Sequence, residues 1–235
     1  MSDETLYQLL RWFELFMQVS ILIPMVVVWR RRSSFPFPIR LLSWYVYLSA
    51  GCVIAAKLAA FYFHNNQLLV PAFNGGKMLL FAAVYARVLA HGRLRRVLLQ
   101  ATAVGLAIMG GSVLYDWKVA TTVARMVQCA VLAAFALAYL EQELNKPAFH
   151  RGFQDPIWLL SVGQLLYSGG SMVACFSVLD GFFAQQLPQM LLFSCIIVSG
   201  LIFNCFLTLV FLRAQNFQSM KTERLPFDAG TLASA

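Results

Sequence analysis

The chain has 235 residues, 60% of them hydrophobic and only 12% charged, and its mean hydropathy of +0.70 excludes an ordinary soluble domain. Several apolar runs exceed about 18 residues, the length that crosses about 30 Å of hydrocarbon, so the expected fold class is all-α, a polytopic membrane protein. The net charge of +8 and the pI near 9.5 then read as membrane topology and attraction to anionic lipid headgroups, and no nucleic-acid partner is expected.

The start, Met1-Ser2-Asp3-Glu4, is acidic where a secretory leader is basic, and no small-residue cleavage site follows the first apolar run. The first helix is therefore expected to stay. It covers 6–29 and holds Pro24, whose missing N–H predicts a kink in its cytoplasmic half. The second span covers 39–63 after Pro36 and Pro38, and the third covers 68–89 after His64-Asn65-Asn66. The fourth, 97–114, follows His91-Gly92-Arg93, and the fifth, 119–140, follows Asp116. The sixth, 157–179, lies beyond Asn145 to Pro147, and the seventh, 187–212, beyond Asp180-Gly181. Pro71, Pro156 and Pro188 stand near span starts, where a missing N–H is tolerated. One seven-helix domain over 1–213 is expected, followed by a disordered cytoplasmic tail over 214–235.

Orientation follows from the basic residues of the short connections. Arg30, Arg31, Arg32, Arg40, Arg93, Arg95, Arg96, Lys146, Arg151, Arg213, Lys221 and Arg224 fall in the odd-numbered gaps and the tail, against Lys118 alone on the other side. The amino terminus is expected outside and the carboxyl terminus inside, in a multi-pass protein of the inner (plasma) membrane. With so little chain outside the membrane, any signal must pass to a separate protein at the cytoplasmic face.

Five basic residues, Arg11, Lys57, Lys77, Arg87 and Arg125, lie within the spans, with Glu14 as the only acidic companion. A Lys or Arg at the bilayer centre costs about +2.5 to +3.5 kcal/mol on insertion scales, so such residues face a bundle interior, a water-filled cavity or a partner charge. Polar residues share helical faces at steps of three and four. Arg11, Glu14 and Gln18 do so on the first span, Asn74, Lys77 and Tyr85 on the third, Thr121, Arg125 and Gln128 on the fifth, and Ser161, Gln164, Ser168 and Ser171 on the sixth. At 1.5 Å per residue, Glu14, Lys57, Lys77 and Arg125 each fall about 10 to 13 Å below the outer boundary, although they come from helices of alternating direction. They form one layer. Arg87 lies near the inner end of its span and is expected to snorkel to the interface.

Three explanations of that layer stay open. Arg11 and Glu14 pair along the first helix while Asp116 and Asp180 neutralise the others; or the layer is a cationic, water-accessible pocket for an anion; or the lysines are neutral through desolvation. The pocket reading nominates Glu14, Lys57, Asn74, Lys77, Arg125, Gln128, Gln164, Ser168 and Ser171 as ligand-binding residues.

Small residues give a weaker signal. Ala103, Ala107 and Gly111 on the fourth span, and Gly51, Ala55 and Ala59 on the second, repeat every four residues. Such repeats let helix backbones approach closely. They read first as ordinary packing within the bundle. The fourth span is otherwise poor in polar residues and is expected to be peripheral, offering a face for a homo-oligomer.

Enzymatic chemistry finds little support. His64, His91 and His150 are single histidines on opposite sides of the membrane, no histidine follows to pair with Ser171, and the five cysteines lie in spans without CxxC spacing. The last span carries no lysine, so the retinal attachment of rhodopsins has no counterpart. Neither a metal nor a cofactor is expected.

Tyr45 to Tyr47, Phe73-Asn74 through Tyr85, and Ile157-Trp158 through Tyr167-Ser168-Gly169-Gly170 carry a resemblance over most of the chain. It resembles a group of uncharacterised bacterial seven-span membrane proteins often encoded beside sensor histidine kinases. That group commonly has acidic residues where Lys57 and Lys77 stand. The resemblance implies a membrane component of sensing or signalling. The expected function is a receptor-like protein that binds a small anionic or amphipathic ligand in an outer-half polar pocket. The alternatives are a small transporter or channel for an anionic solute and, third, a lipid-binding membrane scaffold.

Overall fold

A computed structural model describes residues 3–63, 68–90, 92–145, 154–179 and 186–214. Among them, the secondary structure is helical throughout: α1 (Asp3–Ser20), α2 (Leu22–Arg31), α3 (Phe37–Phe63), α4 (Leu69–Val88), α5 (Gly92–Tyr115), α6 (Trp117–Leu144), α7 (Pro156–Leu179) and α8 (Gln186–Leu212). A 3-10 turn over Arg32–Ser34 follows α2. Among the described residues, seven helices are long and apolar enough to cross a membrane, the first being the composite Gln8–Ser34 built from α1, α2 and that turn.

The break between α1 and α2 is where the missing Pro24 N–H predicts it. Pro24 cannot donate to the Ser20 carbonyl, and the helix interrupts at Ile21 rather than at the proline itself. A side chain of α8 holds the break. Asn204 Nδ2 donates to Ser20 Oγ at 2.7 Å and lies 3.4 Å from the Met17 carbonyl, to which Ser20 Oγ also donates at 2.6 Å.

Several helices outrun the apolar segments that announce them. α5 begins at Gly92, so Arg93, Arg95 and Arg96 extend it below the predicted start, and α6 continues through Glu141, Gln142 and Glu143. Charged residues end a hydropathy window without ending a helix, because Arg, Glu and Gln are good helix formers. Of the predicted boundaries, the histidines at 64, 91 and 150, Asp180 and the tail beyond 214 lie outside the described residues.

The helices form an incomplete ring. α8 lies on α7, α7 on α6, α6 on α4, and α4 on α3, while α5 is set outside against α4 and α6. α1 rests on α8, and α2 meets both α8 and α3. The ring is thus loosely closed where α1 runs opposite α3. Close approach of α7 to α8 relies on glycine: a Cβ on Gly163 would sit 2.7 Å from Phe206 Cβ, and one on Gly170 2.8 Å from Ser199 Cβ.

α5 packs inward through Leu98, Thr102, Gly105 and Met109. That leaves Ala103, Ala107 and Gly111 exposed on its outer face, so this small-residue repeat is not the intrabundle contact it first suggests. Its phase relative to the neighbours decides the matter, and the repeat alone carries no phase.

One half of the bundle, the half reached by the end of α6 and the start of α7, is closed by aromatic and hydrogen-bonded contacts. Tyr85 stacks on Phe135 with ring centroids 5.6 Å apart, and its hydroxyl lies 3.0 Å from Ser161 Oγ. Phe35 stacks on Phe211 at 5.6 Å. Asp155 caps α7, its Oδ1 accepting the Ile157 N–H at 2.9 Å and its Oδ2 the Tyr139 hydroxyl at 2.6 Å. Asp at the cap with Pro156 at the first helical position satisfies the helix start in the favoured way.

Burial pushes the Asp155 carboxyl above the usual carboxylate range, against the Tyr139 and Ile157 donors, which pull it down. A folded state that holds this proton more firmly than the unfolded chain loses stability as pH rises through the raised value. Asp155→Ala is expected to remove about 1–2 kcal/mol through the lost cap, with Asp155→Asn retaining most of it. In thermal melts over a pH series, acidification from neutral into the mildly acidic range should raise the native midpoint relative to that of the Asn variant. A pH-independent difference would show that the folded and unfolded chains hold this proton equally, and that burial does not raise the carboxyl.

Candidate functional site

Where α1 and α3 diverge, the bundle encloses a cavity of about 400 Å³. Glu14 and Gln18 reach it from α1, Lys57 from α3, Asn74 from α4 and Arg125 from α6, with Tyr167 of α7 and Phe203 and Asn204 of α8 behind them. A second cavity, of about 450 Å³, lies along the same gap nearer the amino terminus of α1, lined by Gln8, Arg11, Trp12 and Leu15. Glu14, Gln18 and Lys57 line both. Four of the nine nominated residues, Glu14, Lys57, Asn74 and Arg125, therefore meet at one cavity wall; of the four placed at one depth, Lys77 is not among them.

The other five, Lys77, Gln128, Gln164, Ser168 and Ser171, are buried behind that wall on α4, α6 and α7. Shared depth nominated Lys77 and shared helical faces the other four, but helical phase turns all five away from the open gap. Lys57 and Lys77 show the contrast most sharply. Lys57 is exposed at the cavity mouth, while Lys77 is 1% exposed and enclosed by rings.

Its Nζ lies 3.7 Å from the Tyr167 ring centroid, 4.5 Å from Phe203, 5.5 Å from Tyr45 and 5.6 Å from Phe81. These rings come from α7, α8, α3 and α4. Tyr45, Tyr167 and Phe203 also line the cavity, so the aromatic cage that holds Lys77 is at once the cavity floor. A cation over ring faces gains about 0.5 to 2 kcal/mol per good contact.

The pairing of Arg11 with Glu14 is not found. Glu14 instead accepts a hydrogen bond from Gln18 Nε2 at 3.0 Å, and Arg11 is exposed on the α1 surface. Asp116 has interactions of its own, and Asp180 lies outside the described residues. Among the described residues, then, the layer contains Lys57, Lys77 and Arg125 without carboxylate ion pairs. Arg87 is exposed, and its guanidinium lies over the Phe37 ring at 4.6 Å.

Unmet hydrogen-bonding capacity marks the same region. Both amide atoms of fully buried Gln128, the Asn74 Nδ2 and the Gln164 Oε1 have no partner, although Gln164 Nε2 donates to Ser168 Oγ at 2.9 Å. Buried polar atoms are nearly always satisfied, so such a group points to water or a ligand at that depth. Gln128 stands one turn from Arg125, and Asn74 one turn from Lys77.

The aromatic cage and the Asn204 latch were not nominated from sequence. Aromatic residues are as common on a lipid-facing surface as in a membrane-protein core, so no spacing rule singled out Tyr167 or Phe203. Asp155-Pro156 did carry a signal, the N-cap followed by an N1 proline. Among the described residues no group of three or more His, Cys, Asp or Glu could hold a metal ion. The described cysteines are free thiols, of which Cys52 lines the cavity. No family model, no curated protein and no solved structure matches this chain, so the site itself carries the functional reading.

Proposed function

We propose that this protein is a receptor-like or sensory component of the plasma membrane, with its amino terminus outside, that binds a small anionic or amphipathic ligand in the outer-half cavity. The observation that carries the reading is the cavity bounded by Lys57, Arg125 and Glu14, with Lys77 caged directly behind its floor. Two cations at the wall and one beneath it outnumber the single acid, so an anion is the occupant that balances the site.

Binding would act on helix packing. The floor joins α3, α4, α7 and α8 through Tyr45, Phe81, Tyr167 and Phe203, and below it the Tyr85–Ser161 bond ties α4 to α7. An occupant that draws Lys77 or Arg125 toward the cavity therefore shifts helices whose far ends reach the basic cytoplasmic loops. A separate signalling protein would read that shift, and the exposed Ala103, Ala107 and Gly111 face of α5 suits a homo-oligomer.

The transport reading is weaker because the polar residues that would continue a path into the other half are engaged. Ser161 bonds Tyr85 and the Ile157 carbonyl, Asn204 holds the α1–α2 break, and Thr208 donates to the Asn204 carbonyl at 2.8 Å. Reconstituted into liposomes, the chain is expected to bind an anionic amphiphile saturably and to support no uptake of the labelled anion. Saturable uptake would assign transport instead, and the absence of any anion binding would remove both readings.

A further inference from the structure

We infer that the occupant of this cavity is a single-chain amphiphile with an anionic head, drawn sideways from the surrounding membrane through the gap between α1 and α3; the inference rests on the ligand-binding reading above. The gap arises from helix packing. α1 lies against α8 and α3 against α4, and the two sides of the gap come together further along, where α2 meets α3. Residues facing each other across it, Glu14 and Gln18 on one side and Ala56 and Lys57 on the other, line the same cavity. Lys57 and Ala60 are exposed although they share that cavity with buried Asn74 and Tyr45. The cavity therefore reaches the lateral surface of the bundle, where lipid would stand.

Charge is confined to one end of the gap. Arg11, Glu14 and Lys57 stand toward the start of α1 and the end of α3, while Ile21, Tyr45 and Phe203 stand deeper. An amphiphile in that leaflet is oriented in the same sense, with its head toward water and its chain toward the bilayer centre. Counted from the span ends at Gln8, Tyr62 and Val119, the charged wall of Glu14, Lys57 and Arg125 lies about 8 to 9 Å along the helices, inside the apolar segments rather than at their ends. An ordinary annular lipid would leave these charges unmatched, whereas an anionic head drawn inward to Lys57 and Arg125 meets them. A volume of about 400 Å³ is at the small end of ligand cavities, which favours one chain over two.

Access from the bilayer has its own thermodynamic signature. Taking a methylene out of water raises affinity by about fourfold, but moving it from lipid into an apolar cavity changes little because both surroundings are equally apolar. Affinity expressed as membrane mole fraction should therefore be nearly flat across chain lengths.

The test uses the full chain in phosphatidylcholine nanodiscs with radiolabelled oleate. The expected result is one saturable oleate per chain, displaced by myristate within about threefold at equal membrane mole fraction. Oleyl alcohol should be at least about tenfold weaker for want of charge, and acetate and inorganic phosphate should fail to displace oleate. Ala60→Trp at the exposed mouth should slow oleate association by about tenfold, with Ala60→Ser as the size-matched control and an unchanged melting midpoint certifying the fold. Displacement by acetate or phosphate would keep an anion pocket but end the membrane-derived amphiphile. Unsaturable oleate uptake, or oleyl alcohol binding as well as oleate, would reveal annular lipid only and overturn the proposal. Unchanged association in folded Ala60→Trp would overturn the lateral route. If oleate, acetate and phosphate all failed to bind, the underlying pocket reading would fall with it.

Discussion

Lys77→Met is expected to make the protein more stable to heat and less able to hold an anion. The side chain is 1% exposed and, among the described residues, has ring contacts and no carboxylate ion pair, so the ammonium is compensated mainly by rings. The shortest contact, 3.7 Å to the Tyr167 centroid, is a good cation–π geometry, but those to Tyr45 and Phe81, at 5.5 and 5.6 Å, lie near the limit of the effect. Against this stands the desolvation of a charge, several kcal/mol even after relaxation. Methionine is similar in length, flexible, and makes favourable contacts with ring edges. Replacing buried charges with apolar side chains of similar volume commonly stabilises a protein by about 1–4 kcal/mol. At about 2–4 °C per kcal/mol for a chain of this size, the melting midpoint in detergent should rise by several degrees. Because Lys77 acts from behind the floor, anion affinity should fall by less than about tenfold. A lowered midpoint would instead show that the cage is a structural fastening, and the case for a strained cation poised beneath the cavity would lapse.

That balance of strain and use explains which parts of the molecule can be read directly from its residues. The seven spans are legible because an apolar run must match the hydrocarbon thickness, and the helices keep to those runs except where good helix formers such as Glu141 and Arg95 extend them. The charge layer is legible because rise per residue converts sequence distance into depth. Glu14, Lys57, Asn74 and Arg125 do meet at one cavity. Depth does not give phase, however. Lys57 and Lys77 share a level yet one faces the gap and the other the cage, because the rotation of α3 and α4 is set by what each packs against. Glu14 illustrates a second limit. Arg11 and Gln18 stand three and four residues away on the same face, and only geometry shows that Gln18 is the partner. The gap itself follows from α1 resting on α8, a tertiary choice that leaves no local mark in the residues of either helix.

Arg125→Ala and Lys57→Ala should be the most damaging changes to binding, each weakening an anionic probe by about 10- to 100-fold. Both side chains line the cavity, from α6 and α3, and a charge-assisted hydrogen bond to an anion contributes about 1.5–3 kcal/mol where water is largely excluded. The two effects should not add fully, since both cations would address one head group and each partly compensates for the other's loss. Lys57 is exposed at the mouth and Arg125 half-buried, so the first substitution tests charge with little burden on folding. Glu14→Gln supplies the opposite sign. It retains an acceptor for the Gln18 amide, now 3.0 Å from the carboxylate, while removing the acid nearest the cations, so affinity for an anion should rise several-fold. Titration of the purified chain with oleate, or with whichever soluble carboxylate binds, measures all three. Weaker binding in Glu14→Gln would mean that the head group carries a positive charge as well and that Glu14 pairs with it. If affinity were unchanged in Arg125→Ala, Lys57→Ala and Lys77→Met alike, the layer of cations would be an architectural feature of the bundle, and its occupant would have to be sought elsewhere.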